Sequence, residues 1–126
     1  AKQMDKDVVN STFAEARENG GLIEITDNKA DLKGADVIYG DVWASMGQEG
    51  EKTVREKAFA GYQINDGLMA LANPGCMVQH CLPAYREQEI TTKVFEEHAS
   101  EIFEEAENRL HAQKAVMVTL MGSIEE

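Results

Sequence analysis

The stretch Cys76–Glu87, CMVQHCLPAYRE, decides the fold because an apolar run leads directly into reactive side chains and a proline. Its apolar residues Met77 and Val78 predict a short buried strand. Pro83 ends that strand, since proline cannot donate a ladder hydrogen bond. The strand therefore carries His80 and Cys81 to its carboxyl end, where parallel sheets place their binding sites.

Outward from this stretch, predicted strands alternate with predicted helices. Strands are expected for LIEIT (22–26), ADVIYGDVW (35–43) and CMVQHC (76–81), with a brief extended segment for SEIF (100–103). Helices are expected near 2–19 with a glycine cap at 20–21, and for 26–34, 52–62, 65–75, 90–98 and 104–121. The second strand is dense in apolar residues, which predicts burial on both of its faces. This alternation predicts an α/β layer fold with a mainly parallel sheet.

Size and charge narrow the class of protein. The chain has 126 residues, 12 of them basic and 23 acidic, and a formal net charge of -11. This length suits one domain, and the acidic balance argues against nucleic acid or an anionic membrane as a partner. No apolar stretch approaches the about 20 residues of a membrane helix. The two cysteines lack disulfide-framework spacing, so we expect reduced thiols and a cytoplasmic protein.

The pair His80 and Cys81 has several interpretations on residue chemistry alone. Cys81 could be a nucleophile, a metal ligand or an ordinary small buried residue. Neighbouring strand residues point to opposite faces, so His80 is poorly placed to be the base for Cys81. The cysteines and histidines, at 76, 80, 81, 98 and 111, lack the short paired spacings of a zinc site, so no metal is expected.

Two further segments, the one that begins at Asp41 and the last helix, carry polar residues that could bind a ligand. Asp41 closes a strand, and the SMG loop begins at Ser45, so a carboxylate and a hydroxyl could together hold an ammonium group. The alternative is a turn-forming aspartate and a loop serine. Arg109 lies in the last helix, where the plain interpretation is an i,i+4 ion pair with Glu105 on a solvated face.

Three blocks taken together resemble the ornithine carbamoyltransferase family. They are DVWASMGQE at 41–49, HCLPA at 80–84 and EAENRLHAQKAV at 105–116, and the likeness runs over essentially the whole chain. The cysteine in HCLP and the SMG triplet separate the chain from aspartate-specific relatives. The resemblance implies a Rossmann-like three-layer domain with a mainly parallel sheet. It also implies transfer of a carbamoyl group from carbamoyl phosphate to the side-chain amine of ornithine, without a cofactor.

The resemblance assigns substrate-binding roles to residues of two loops. Asp41, Ser45 and Met46 resemble the family's clamp on the amino-acid end of ornithine, with the Asp41 carboxylate facing the α-ammonium. Leu82 would offer its backbone carbonyl to the reacting amine. These assignments make the carboxyl ends of two strands the ornithine side of the site.

The catalytic roles implied by the resemblance fall on four residues. Cys81 would lie near the reacting amine, where a thiolate could help to deprotonate it. His80 and the accessory residue Glu89 would orient that group. Arg109 resembles the arginine that reaches the carbamoyl oxygen and also binds substrate. Glu87 stands where relatives usually carry glycine, and it lacks the freedom of glycine to adopt a positive φ at low cost.

Several family segments have no counterpart in this chain. Nothing resembles the phosphate-binding STRT segment, the HPxQ segment or the GDxxN strand end. Residues 1–126 are therefore interpreted as the C-terminal portion of the ornithine-binding domain, with its first strands and the carbamoyl phosphate domain absent. We expect the chain alone to be inactive and the intact enzyme to be a homotrimer. The alternatives are a non-catalytic amino-acid-binding or interaction module, and an acidic α/β protein with coincidental motifs.

Overall fold

The computed structural model describes residues 5–44 and 49–122 as an α/β arrangement. Its helices are α1 (Lys6–Glu18), α2 (Lys52–Phe59), α3 (Asp66–Met69), α4 (Thr92–Glu97) and α5 (Ala99–Met121). Its strands are β1 (Val37–Gly40) and β2 (Met77–His80), and short 3-10 turns cover Lys29–Leu32 and Glu49–Glu51. The predicted α/β class is confirmed. No helix in the described part of the chain is long and apolar enough to cross a membrane.

The two strands pair in parallel, as the sequence predicted. Gly40, the last residue of β1, lies opposite His80, the last residue of β2. The backbone N–H of Cys81 still donates to the carbonyl of Gly40, at 3.5 Å, just beyond the sheet. Asp41 and Cys81 therefore leave the sheet side by side at its carboxyl edge.

The apolar core lies against one face of this small sheet. Its buried members are Ile38, Ile64, Leu68, Cys76, Val78, Ile90, Val94, Phe95 and Ile102. They come from both strands, from α3, α4 and α5, and from the loops between them. The core thus packs against one side of the strand that ends in His80, opposite the exposed face of the sheet.

The prediction that the second strand is buried on both faces is wrong for the described residues. Burial alternates along β1. Val37 and Tyr39 are 50% and 57% exposed, whereas Ile38 and Gly40 are buried. Strand side chains alternate between faces, and none of the described elements covers the face that carries Val37 and Tyr39. That face runs on toward the site at the carboxyl edge.

Two predicted extended segments are also corrected. Residues 22–26 form no strand, and Leu22 is 82% exposed, because no described strand lies beside them to pair with. Residues 100–103 belong to α5 instead, since their helical periodicity places Ile102 in the core. The last predicted helix is present, but its apolar side chains at Leu110, Met117, Leu120 and Met121 are exposed.

Several predicted helix ends are confirmed by their hydrogen bonds. The side chain of Asn65 accepts the N–H of Leu68 at the start of α3, at 3.0 Å. Thr91 caps α4 in the same way. Gly20 follows α1 with φ of 72°, a left-handed conformation that glycine adopts without strain. Local sequence signals therefore place these helix ends, whereas the helix predicted for 65–75 ends at Met69 and the last helix begins at Ala99 instead of 104.

A matched pair of isoleucine variants tests where the core lies. Ile102→Ala should lower the free energy of unfolding by about 2–5 kcal/mol, because it empties a fully buried position. Ile25→Ala should change it by less than about 0.5 kcal/mol, because Ile25 is exposed in the segment that forms no strand. Urea unfolding followed by circular dichroism measures both. A comparable loss from both variants would show that residues 22–26 pack in this chain.

Candidate functional site at the carboxyl edge of the sheet

The carboxyl ends of β1 and β2 bring Asp41 and Cys81 into direct contact. The Sγ of Cys81 donates a hydrogen bond to Oδ1 of Asp41 at 3.0 Å. The same Oδ1 accepts the backbone N–H of Val42 at 2.7 Å, which orients the carboxylate. Residues 40 positions apart in sequence thus meet because their strands are parallel and in register. This is the juxtaposition expected at the end of a parallel sheet.

Cys81 is a thiol at neutral pH in this arrangement. Partial burial of the sulfur, together with the hydrogen bond to Asp41 and the charge of that carboxylate, raises the pKa of Cys81 to about 11. A thiol bonded to a carboxylate acceptor is stabilised in its protonated form. The thiolate expected beside the reacting amine is therefore not the form that Cys81 takes in the chain without ligand.

His80 and Glu89 form a buried pair behind the exposed edge. They are 1% and 2% exposed, respectively. The backbone N–H of Leu82 donates to Nδ1 of His80 at 3.0 Å, so the ring hydrogen of the neutral imidazole lies on Nε2. That Nε2 faces Oε1 of Glu89 at 3.3 Å, and the backbone N–H of Tyr85 donates to the same oxygen. The pair ties the end of β2 to the loop that follows.

His80 points away from the thiol of Cys81, as strand alternation predicted. Its ring packs against β1 at Gly40, where a Cβ atom would lie 2.9 Å from Cδ2 of His80 and 2.9 Å from Cδ1 of Ile64. Any side chain at position 40 would push the ring out of place. Our sequence interpretation missed this role of Gly40, although a glycine inside an apolar strand is a signal for close approach.

The loop after β2 turns the chain away from the sheet edge. Leu82 has φ of 49° and is followed by a cis peptide bond to Pro83. Glu87 nevertheless has φ of 65°, the left-handed conformation that glycine would adopt at lower cost. Its backbone N–H donates to the carbonyl of Ile90 at 2.8 Å, and its carboxylate accepts the N–H of Thr92 at 2.7 Å. These bonds hold a glutamate in a conformation that glycine adopts more easily.

Arg109 lies on the exposed surface of α5, one turn beyond Glu105. The ion pair between these two residues is absent from the described part of the chain. Oε2 of Glu105 accepts the backbone N–H of His80 instead, at 3.1 Å. The structure therefore places Arg109 one helical turn past the strand end, without contact to Asp41 or Cys81. Ser45 and Met46 lie outside the described residues.

Metal ligands are not assembled here. Within residues 5–44 and 49–122, no group of three or more histidine, cysteine or carboxylate side chains could hold a metal ion. Both cysteines are free thiols, Cys76 buried and Cys81 exposed. The site consists of an acid, a thiol and a buried histidine–glutamate pair.

This combination of fold and loops matches a known domain. Residues 1–120 match the family model for the aspartate/ornithine carbamoyltransferase Asp/Orn binding domain. The chain belongs to the aspartate/ornithine carbamoyltransferase family. Its carbamoyltransferase domain is similar in sequence to the ornithine carbamoyltransferases of Sulfurovum sp., at 49% identity over 94% of this chain, and of Geobacter metallireducens, at 51% over 86%.

Solved structures give the same assignment. The anabolic ornithine carbamoyltransferase of Campylobacter jejuni superposes with a TM-score of 0.91 at 38% identity over 95% of this chain. The Pyrococcus furiosus ornithine carbamoyltransferase gives 0.87 at 46% identity over 96%. An N-acetyl-L-ornithine transcarbamylase is more distant, with 0.77 at 31% over 94%. The chain spans 36–40% of the length of these five relatives.

The contact between Asp41 and Cys81 predicts that the thiol of Cys81 is alkylated slowly. In a Cys76→Ala background, iodoacetamide should alkylate Cys81 on the order of 100-fold more slowly at pH 8 than an ordinary cysteine, because so little thiolate is present. Asp41→Asn should raise that rate roughly 10-fold, since the amide keeps the acceptor for Val42 but loses its charge. Asp7→Asn, on exposed α1, is the matched control. An unchanged rate in Asp41→Asn would contradict the contact.

The bond between Glu87 and Thr92 predicts a pH-dependent contribution to stability. Accepting the N–H of Thr92 lowers the pKa of Glu87 below its usual value. A lowered folded-state pKa stabilises the chain above the unfolded pKa, and this contribution is lost as pH falls through the folded pKa. Glu87→Gln should therefore lower the urea midpoint at pH 7, with the difference shrinking below about pH 4. A difference that stays constant across this range would contradict the assignment.

Proposed function

We propose that this chain supplies the ornithine-binding half of an ornithine carbamoyltransferase. The reaction is carbamoyl transfer from carbamoyl phosphate to the side-chain amine of L-ornithine, which gives L-citrulline and phosphate. Family membership and the names of the relatives support the reaction class. The observation that carries the proposal is the contact of Asp41 with Cys81 at the carboxyl edge.

Ornithine presents two amines, and the site offers a distinct partner for each. The Asp41 carboxylate attracts the α-ammonium, which is charged at neutral pH. Ser45 and Met46 of the following loop complete the clamp on this end of the substrate. Leu82, whose left-handed backbone turns the chain at the strand end, offers its carbonyl to the side-chain amine.

Cys81 acts on the reacting amine once ornithine is bound. Without ligand, Asp41 holds the thiol protonated. An ammonium that pairs with Asp41 neutralises the carboxylate, takes its acceptor oxygen from the thiol and brings a positive charge nearby. Each change lowers the pKa of Cys81. The thiol then releases its proton to solvent, and the thiolate accepts a proton from the side-chain ammonium, which leaves a neutral amine and a thiol.

The bond-forming step follows from that neutral amine. Its nitrogen attacks the carbonyl carbon of carbamoyl phosphate, and the C–N bond forms. The bond from carbon to the phosphate oxygen breaks, and the leaving phosphate takes the proton that the attacking nitrogen loses. Arg109 donates to the carbamoyl oxygen as negative charge grows there. His80 and Glu89, buried behind the strand end, keep the backbone beside Cys81 in place.

The donor side of the site lies outside this chain in our proposal. We interpret residues 1–126 as the C-terminal portion of the ornithine-binding domain, and the chain spans 39% of the Sulfurovum relative. Carbamoyl phosphate is then held by another part of the enzyme, and this chain alone gives no turnover. We propose a cytoplasmic homotrimer for the intact enzyme.

A reconstitution assay for citrulline tests this function. The chain should be silent alone with carbamoyl phosphate and ornithine, and active when mixed with the part of the Sulfurovum relative that it does not match. Cys81→Ala and Arg109→Ala should each lower the activity of the mixture by on the order of 100-fold. Cys76→Ala and Arg17→Ala are the matched controls and should retain it. N-Acetyl-L-ornithine should not react, because acetylation removes the cation that Asp41 recognises.

Different results would separate the alternatives. Turnover by the purified chain alone would overturn the half-site proposal. Full activity of the Cys81→Ala mixture would remove the proposed role of the thiol. Specific ornithine binding by a folded chain that stays silent in every mixture, measured by calorimetry, would identify a non-catalytic amino-acid-binding module instead.

A further inference from the structure

One face of α2 contacts the backbone that leaves β1. Its N-cap residue Glu51, Arg55 and Phe59 are spaced four positions apart, so they lie in line along this face. The Nη1 of Arg55 donates to the carbonyl of Trp43 at 3.3 Å. The rings of Phe59 and Trp43 stack with their centroids 6.3 Å apart and their planes at 28°. The helix therefore holds Trp43 by both its carbonyl and its indole ring.

The guanidinium of Arg55 is oriented by a second partner. Its Nε donates to Oε2 of Glu51 at 3.0 Å, and its Nη2 lies 3.0 Å from the same oxygen. Because the guanidinium is planar, this pairing directs Nη1 at the carbonyl of Trp43. Ion pairs at the surface usually add little to stability. We therefore expect Arg55 to affect the position of the backbone at Trp43 more than the stability of the fold.

The backbone held by α2 lies directly after Asp41. Pairing with β2 holds the chain before Asp41, and α2 holds it afterwards at Trp43. Between these two anchors, the N–H of Val42 donates to Oδ1 of Asp41 at 2.7 Å. The same oxygen accepts the thiol of Cys81 at 3.0 Å. The direction of the carboxylate thus depends on a short segment whose far end is fixed by α2.

We propose that Arg55 is a positioning residue for ornithine binding: its guanidinium holds the backbone at Trp43 and thereby keeps the carboxylate of Asp41 where the α-ammonium binds. The inference rests on the proposed function, which supplies the ligand of Asp41. Binding groups that are already in place lower the cost of ordering on binding. Loss of Arg55 should therefore weaken the binding of ornithine more than it slows the chemical step.

The fold itself should survive the loss of this contact. Within the described residues, α2 contributes no buried side chain to the core. Surface substitutions of this kind usually change stability little. The urea midpoints of Arg55→Gln and Phe59→Leu should therefore stay close to that of the unchanged chain. With this control in hand, an effect at the site reports a change of position and not unfolding.

The fluorescence of Trp43 tests the contact directly, because it is the sole tryptophan of the chain. In Arg55→Gln and in Phe59→Leu, the emission should move to longer wavelength and acrylamide should quench it more strongly, since the indole loses its packing. Lys52→Gln is the matched control. It removes another cation of α2, one that pairs with Glu56 at 3.9 Å, and it should leave the emission unchanged.

Alkylation of Cys81 measures the effect on the site without substrate. In a Cys76→Ala background at pH 8, Arg55→Gln should raise the rate with iodoacetamide about threefold, because a carboxylate that is held less firmly protects the thiol less. Arg55→Lys should give a smaller increase, since it keeps a charged donor but lacks the planar fork. Lys52→Gln should leave the rate unchanged.

The reconstituted citrulline assay gives the functional measurement. Arg55→Gln should raise KM for ornithine about 10-fold and lower kcat far less, and Arg55→Lys should recover part of the loss. A mixture that is silent even with the unchanged chain would overturn the proposed function, and with it the role of Arg55 in ornithine binding. The fluorescence and alkylation results would still decide whether Arg55 is linked to Cys81.

Three further results would overturn the inference. Unchanged emission of Trp43 in both Arg55→Gln and Phe59→Leu would remove the contact. Equal alkylation rates in Arg55→Gln and Lys52→Gln would separate the contact from Cys81. A fall in kcat with an unchanged KM for ornithine would give Arg55 a general structural role in place of the proposed one.

Discussion

The parallel, in-register pairing of β1 with β2 is the constraint on which the rest of the described structure depends. It sets Gly40 opposite His80, and the residues that follow, Asp41 and Cys81, therefore meet at the same edge. A shift of one residue would turn every side chain of β2 to the other face, exposing the buried ring of His80 and burying the thiol. The register thus determines both the core and the candidate site.

The strand end is held from behind and from the side by polar groups of the following loop and of α5. His80 accepts a backbone hydrogen bond on one nitrogen and faces the carboxylate of Glu89 with the other. Glu105 takes the backbone N–H at the same residue. These bonds restrict the strand end, although Nε2 of His80 and Oε2 of Glu89 are buried without a hydrogen-bond partner among the described residues. The exposed thiol of Cys81 is therefore carried on a backbone with little freedom.

The charge state of that thiol links the structure to the proposed chemistry. Asp41 stabilises the protonated sulfur in the chain without ligand, and an ammonium partner for Asp41 would reverse this preference. A Cys81 thiolate that forms only when substrate binds could act as a base, which is consistent with a reaction that requires a neutral amine. The exposed face of Val37 and Tyr39 lies beside this edge, and the described residues leave it uncovered.

Sequence alone determined the α/β class, the parallel order of the strands, most helix ends and the candidates Asp41, His80 and Cys81, because periodicity, caps and turn residues act over a few positions. It also carried the family resemblance that the domain match confirmed. It failed for residues 22–26, whose strand character needs a neighbour to pair with, and for 100–103, whose apolar residues suit either a strand or a buried helix. Only the tertiary structure decided the contact of Cys81 with Asp41, the close packing at Gly40 and the hydrogen bond from the backbone of His80 to Glu105. Each of these depends on distances between residues far apart in the chain, and no local pattern encodes such distances.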